Sequence, residues 1–201
     1  MFTEAVEAHQ RVLGYAEESI NRYYNLLASD PSRARLTVFT KVFQAKEEET
    51  LTFREMRNDA AAFIIAGSDT TANTLTYAVW CICQHPQVKA RLMKELSALP
   101  ENFTDDHLRN LSYLKQVIEE TLRLYPVVGT GLPREVPEAG ATLAGYWVPP
   151  GSTVCAQSYS MHKDPAVFPD PEHFMPERWE KPTKDMKDAM MGFGLGSRGK
   201  I

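Results

Sequence analysis

The feature that most constrains this chain of 201 residues is a stretch without proline that ends only at Pro86. Thr52-Phe53-Arg54-Glu55 reads as a capping box, in which a hydroxyl and a carboxylate three residues apart satisfy each other's backbone amides. From there the spacing predicts one helix over about 52–84, roughly 50 Å long at 1.5 Å per residue. Both flanks of its centre are apolar, through Phe63, Ile64 and Ile65 and then Leu75, Tyr77, Val79 and Trp80. Such a helix is expected to cross the middle of a core.

Other helices are expected on either side of it. Val6, Leu13, Ala16, Ile20, Tyr23 and Leu27 recur on one stripe, and Val38, Phe39, Val42 and Phe43 form a shorter one. Pro86 opens a further helix with Val88, Leu92 and Leu96 facing inward. Another spans about 112–125, with Leu114, Val117, Ile118, Thr121, Leu122 and Tyr125 on one side, until Pro126 stops it. Beyond this point backbone breakers crowd the chain: ten of the 13 prolines lie between Pro126 and Pro182, and nine of the 11 glycines between Gly129 and Gly199. Residues 142–148, a Pro149-Pro150-Gly151 turn and residues 152–157 together suggest a hairpin, with Pro150 and Gly151 central in a type II turn. Residues 164–182 read as an ordered loop. The predicted class is mainly α with a small β component.

Twenty-six acidic against 22 basic side chains, a formal charge of −4, exclude a dedicated nucleic-acid binder on bulk electrostatics. Three cysteines, Cys81, Cys83 and Cys155, make no disulfide framework, and the first two read as buried small apolar residues. The N-terminus lacks the basic start and apolar run of an export signal. The most apolar segment, 60–83, is broken by Ser68-Asp69-Thr70-Thr71 and Asn73, which disqualifies it as a membrane span. The five histidines show no metal-type spacing and read as structural or exposed.

Three segments could carry chemistry. Ala66-Gly67-Ser68-Asp69-Thr70-Thr71 puts a glycine, a carboxylate and hydroxyls into the middle of the long helix, where propensity is poor and burial expensive. Threonine hydroxyls bonded to the preceding turn would open a polar notch there; the alternative is a satisfied polar patch inside a core helix. Glu120 and Arg123 form an i,i+3 pair. With Leu114 at zero, the apolar stripe of their helix centres near about 10°, Glu120 lies at about 240° and Arg123 at about 180°. Geometry alone makes them a solvated ion pair contributing about 0.2–0.5 kcal/mol. Finally, Gly192 to Lys200 imitates G-x-G-x-x-G and G-x-x-x-x-G-K, but Ile201 stands where a hydroxyl should hold magnesium and no strand clearly precedes, so the nucleotide-binding reading is weak.

Taken in order, Ala66-Gly67-Ser68-Asp69-Thr70-Thr71, Glu120-Thr121-Leu122-Arg123, Pro176-Glu177-Arg178-Trp179 and Phe193-Gly194-Leu195-Gly196-Ser197-Arg198 closely resemble the cytochrome P-450 family of haem-thiolate monooxygenases. The chain looks like the central and C-terminal part of that domain, in a style similar to fungal members. The resemblance implies an incomplete cytochrome P-450 fold over 1–201, with a helical part at 1–125 and a strand, turn and loop part at 126–201 ending at the haem-binding loop. It implies a long distal helix beside the haem, where Ala66 and Gly67 would contact the cofactor and Asp69 and Thr70 would relay protons to bound oxygen. Glu120, Arg123 and Arg178 would form a buried structural network, which reverses the solvated reading. Arg134 and Arg198 would contact haem propionates, and Phe193 would lie beside the haem. Residues 127–132 and 63–66 would line an apolar substrate pocket.

One position departs from the pattern. In Phe-Gly-x-Gly-x-Arg-x-Cys the iron-ligating cysteine falls at position 200, where this chain has Lys200. A protonated amine does not replace a thiolate, whose electron donation favours oxygen–oxygen cleavage. The resemblance therefore implies a haem enzyme that inserts oxygen into an apolar small molecule with electrons from NADPH through a reductase, while the chain itself is expected to be inactive. The alternatives are a non-enzymatic remnant that binds no haem and folds poorly, and a nucleotide-binding module. Localisation is open: a full-length eukaryotic parent is expected at the endoplasmic reticulum membrane, any other in the cytoplasm. Gly199-Lys200 can be encoded GGT-AAG, which contains GTAAG, the start of a typical intron donor. The expectation is a gene-model or splicing truncation; reading the mature transcript across codons 199 to 201 checks it, and an uninterrupted message ending after Ile201 removes it.

Overall fold

A computed structural model of the chain describes residues 2–30, 40 and 51–195. Its helices are α1 (Phe2–Ser29), α2 (Phe53–Gln84), α3 (Pro86–Leu96), α4 (Asp105–Arg109), α5 (Ser112–Leu124), α6 (Ser158–Met161) and α7 (Lys184–Ala189). Between them lie β1 (Arg134–Glu135), β2 (Ala141–Leu143), β3 (Tyr146–Val148), β4 (Thr153–Val154) and a 3-10 turn at Pro176–Trp179. The fold is mainly helical with a small β component. The short helix expected around Val38, Phe39, Val42 and Phe43 lies outside the described residues. The chain divides within α2 into two compact units, Met1–Thr71 and Ala72–Ile201.

In the first unit the capping box sets the start of α2. The Thr52 amide donates to Glu55 Oε2 at 2.8 Å, and the Glu55 amide donates back to Thr52 Oγ1 at 3.3 Å. Ala16 and Ile20 of α1 pack with Met56, Ala60 and Ala61, flanked by Val12, Leu13 and Tyr23. Val6, placed on the same stripe by spacing, is exposed. Phe63 and Ile65 are exposed as well.

The second unit is built around Cys81, Val88, Leu92, Tyr113, Val117, Leu124 and Phe174. Pro86 takes the first position of α3, where its missing N–H costs nothing. Glu95 of α3 holds the start of α5: its carboxylate accepts from the amides of Tyr113 at 2.8 Å and Leu114 at 2.9 Å. Those amides are among the four that no helix can satisfy internally. A carboxylate there also complements the helix dipole.

Three expectations need correction. First, the long helix does not have its centre enclosed by a core, since Leu75, Val79 and Trp80 stand exposed in the second unit as Phe63 and Ile65 do in the first. A helix apolar on both flanks needs partners on both, and the described residues of each unit cover only part of its circumference. Second, the segments flanking Pro149-Pro150-Gly151 do not pair with each other. β2 pairs with β3 in register Ala141↔Val148 and Leu143↔Tyr146, and β1 pairs with β4, both antiparallel. The reversal occurs at Ala144 and Gly145, with φ of 48° and 85°, the positive values that a two-residue hairpin loop requires. Pro150 and Gly151 do form a turn, with the Ser152 amide donating to Pro149 O at 3.3 Å and Gly151 at φ 73°. Third, Cys81 is buried but Cys83 is exposed.

Gly140 marks a required close approach, since a Cβ there would fall 2.2 Å from the Trp147 ring. Ala144, by contrast, holds a left-handed conformation that costs an L-residue roughly 1–2 kcal/mol. Ala144→Gly is expected to raise stability by up to about 1 kcal/mol, because relief of that strain outweighs the added freedom of the unfolded chain. Urea unfolding followed by circular dichroism checks the sign.

Candidate functional site

The centre of the second unit is a carboxylate with no access to water. Glu120 and Arg123 are both 0% exposed. Glu120 Oε1 accepts from Arg123 Nη2 at 2.8 Å, Arg178 Nε at 2.9 Å and the Met175 amide at 3.0 Å. Its Oε2 accepts from Arg123 Nε at 2.9 Å and the Trp179 indole at 2.8 Å. Arg123 uses the rest of its fork on backbone, donating from Nη1 to the carbonyls of His162 and Pro171 at 2.8 Å each and from Nη2 to His173 O at 3.3 Å. All five of its N–H groups are thereby engaged. Arg178 donates onward to Pro169 O at 2.7 Å and Asp170 O at 3.1 Å. The structure thus brings together Glu120, Arg123 and Arg178, and the solvated-pair geometry is overturned. The buried residues of α5 are Tyr113, Gln116, Val117, Glu120, Thr121, Arg123 and Leu124. That face centres roughly 110° from the apolar stripe, at 100° per residue. Ile118, on the stripe, is exposed.

A second clamp holds the same 3-10 turn. Glu177 accepts from the Tyr113 hydroxyl at 2.8 Å and pairs with Arg91 at 3.3 Å, whose guanidinium lies 4.1 Å above the Tyr113 ring. Burial, and then the bond to Glu177, pushes the Tyr113 hydroxyl well above its ordinary pKa. Sequence reasoning found neither this clamp nor the Glu95 cap, because the partners lie far apart along the chain.

The other expected site residues are more dispersed. In the first unit Thr70 Oγ1 donates to Ala66 O at 2.8 Å, the back-bond to the preceding turn that spacing suggested. Ala66, Gly67 and Asp69 are exposed on the same helix. A Cβ on Gly67 would meet nothing within 4 Å among the described residues, so no contact with them requires a glycine there. In the second unit Arg134 is exposed, its Nη1 donating to Pro133 O at 2.9 Å, and Phe193 is exposed too. Arg198 and Lys200 lie outside the described residues. Of the proposed pocket lining, Val127, Val128 and Leu132 are exposed in the second unit and Phe63 and Ile65 in the first.

The family model for cytochrome P450 matches residues 1–199. The chain belongs to the cytochrome P450 family. It is 46% identical over 197 residues to cytochrome P450 monooxygenase orf2 of Aspergillus niger, covering 98% of this chain and 40% of that protein. It is 45% identical over 199 residues to cytochrome P450 monooxygenase tazI of Aspergillus terreus, covering 98% of this chain and 41% of that one. Trichothecene C-15 hydroxylase of Fusarium sporotrichioides is 36% identical over 156 residues, 74% of this chain and 32% of its own. This P450 chain therefore spans about two-fifths of the length of the first two relatives.

The thiols present do not fit the haem-thiolate group of the P450 family. Position 200 carries Lys. Burial, with a further contribution from Glu120, pushes the Cys81 thiol up to about 11, so it stays protonated inside the core. Cys83 and Cys155 are exposed and lie outside the glycine-rich segment. Among the described residues no group of three or more His, Cys, Asp or Glu side chains is placed to hold a metal ion, and no helix is long and apolar enough to cross a membrane.

The balance of charge in the network sets the order of its mutational costs. Glu120→Gln leaves two guanidiniums without a counter-charge and is expected to cost about 3–5 kcal/mol, whereas Arg178→Gln leaves the Glu120–Arg123 pair neutral and is expected to cost less. Urea denaturation of both variants measures the order.

Proposed function

We propose that this chain is the central and C-terminal portion of a P450 monooxygenase domain, which inserts one oxygen atom into an apolar organic substrate, and that these 201 residues do not perform the reaction by themselves. The observation that carries this reading is the lysine at the cysteine position of a chain whose other motifs stand in family order. Support for oxygen insertion comes from the relatives, named as monooxygenases and a C-15 hydroxylase. In the complete domain Asp69 and Thr70 are the proton-handling groups, and Ala66, Gly67, Arg134, Phe193 and Arg198 the porphyrin contacts. Glu120, Arg123 and Arg178 hold the loop framework. Haem is the cofactor of that domain, with electrons from NADPH delivered by a reductase, and a eukaryotic parent resides at the endoplasmic reticulum membrane. The glycine at position 67 supports the porphyrin assignment, since a mid-helix glycine costs about 1 kcal/mol against alanine and no contact among the described residues demands it.

A second reading, a remnant that folds poorly and binds no haem, draws support from the exposure of Leu75, Val79 and Trp80 in one unit and of Phe63 and Ile65 in the other. Haem titration with the absorption spectrum of the reduced, carbon monoxide-bound form separates the readings. No thiolate-type Soret band is expected from the 201-residue chain, and such a band would overturn the proposal. Absence of both haem uptake and a cooperative unfolding transition would favour the remnant.

A further inference from the structure

The buried groups include one that the reading above does not use. His162, just after α6, is 0% exposed, and it makes contacts on all sides. Its Nδ1 lies 3.1 Å from the Arg123 carbonyl, which can only accept, and its Nε2 lies 2.9 Å from the Met191 amide, which can only donate. One state of the ring satisfies both: neutral, with the proton on Nδ1 and the lone pair on Nε2. The residue's own N–H donates to Ser158 O at 2.8 Å, and its carbonyl takes the 2.8 Å bond from Arg123 Nη1. Phe168 meets the ring edge-on, with centroids 6.5 Å apart. Burial lowers the pKa of the imidazole and outweighs the opposing hydrogen bond to the Arg123 carbonyl, the nearby guanidinium lowers it further, and the net direction agrees with the neutral ring.

The Met191 amide is the first beyond the end of α7, whose cap at Met190 leaves helical geometry at ψ 110°. From Met191 the chain turns: the Gly194 amide donates to Met191 O at 3.0 Å, with Gly194 at φ 77°. Gly192 lies beside Leu122 of α5, where a Cβ added to the glycine would stand 3.5 Å from Leu122 Cβ. The turn is thus seated on the last turn of α5, and the imidazole bridges the two.

We propose that His162 is a positioning residue which fixes the Met191–Gly194 turn, the entry to the Phe193–Arg198 motif, against the Glu120–Arg123 network. Through it Arg123 reaches the turn twice, by its carbonyl to the ring and by its guanidinium to the carbonyl of the same residue. The meaning of this for haem rests on the reading of the motif as the family's haem-binding loop; the positioning itself does not.

Amide hydrogen exchange of the full chain tests it with two variants. In His162→Asn the side-chain amide can replace Nδ1 as donor to Arg123 but offers no acceptor to Met191. In His162→Gln the side-chain carbonyl can replace Nε2 and keep the Met191 bond. H162N is expected to speed exchange at Met191 and Gly194 by about tenfold, the loss of one net hydrogen bond, with the α5 amides unchanged; H162Q is expected to restore most of the protection. Unchanged exchange at Met191 in a folded H162N, or equal loss in both variants with α5 still protected, would overturn the proposal. Should the variants unfold, nitrogen NMR of the unmodified chain decides: a protonated Nδ1 with a coupling from the Met191 amide to Nε2 supports it, and a protonated Nε2 overturns it. None of these readouts involves haem, so they stand apart from the failure or success of the monooxygenase reading.

Discussion

A carboxylate with no water to solvate it must be surrounded by donors or it will not stay charged, and in this chain Glu120 has five of them. Those donors come from α5 itself, from the backbone at Met175 and from two side chains of the 3-10 turn. One carboxylate therefore ties together two stretches more than fifty residues apart, α5 and the run from Met175 through the 3-10 turn. The desolvation of so many charges is costly, and an ion pair of this kind is weak evidence for net stability. What it supplies is definition: in this packing every one of these donors and both carboxylate oxygens are matched. Trp179 adds an apolar side to the same arrangement, packing with Phe168 and Met186.

The two units differ in how they treat apolar surface. The second has a cluster under α3 and α5, while α2 stacks Tyr77 on Tyr125 at 4.4 Å, sets Trp80 edge-on to the same ring and leaves Leu75 and Val79 exposed. Leu75, Val79 and Trp80 are exposed large apolar side chains on one helix, in a chain that spans two-fifths of the length of its first two relatives.

Legibility in the sequence followed the range of the interactions. The start of α2 could be read because its cap involves residues three apart, and the start of α3 because proline is tolerated only at the first turn. The turn at Pro150-Gly151 could be read as a turn, but not which strands would pair, since Ala144 at positive φ gives no sign of itself in composition. The face of α5 was misjudged by periodicity because three of its seven buried residues are Gln116, Glu120 and Arg123, which periodicity counts as solvent-facing. Motif order corrected that reading where hydrophobic pattern could not. The contacts of Glu95, Glu177 and His162 left no local trace at all, because each depends on a partner brought in by the tertiary fold.

The segment from His162 to Met175 contains three prolines and little regular structure, so its carbonyls outnumber the amides available to meet them. Arg123 and Arg178, donors without acceptors, collect the carbonyls of His162, Pro169, Asp170, Pro171 and His173. Two guanidiniums here act as the template that a neighbouring strand provides in a sheet. Connecting segments ordinarily tolerate insertion and deletion, but one whose carbonyls at 162, 169, 170, 171 and 173 are read by two rigid planar forks cannot change its count of residues between them without losing register. This stretch is thus a loop in conformation and a ruler in length.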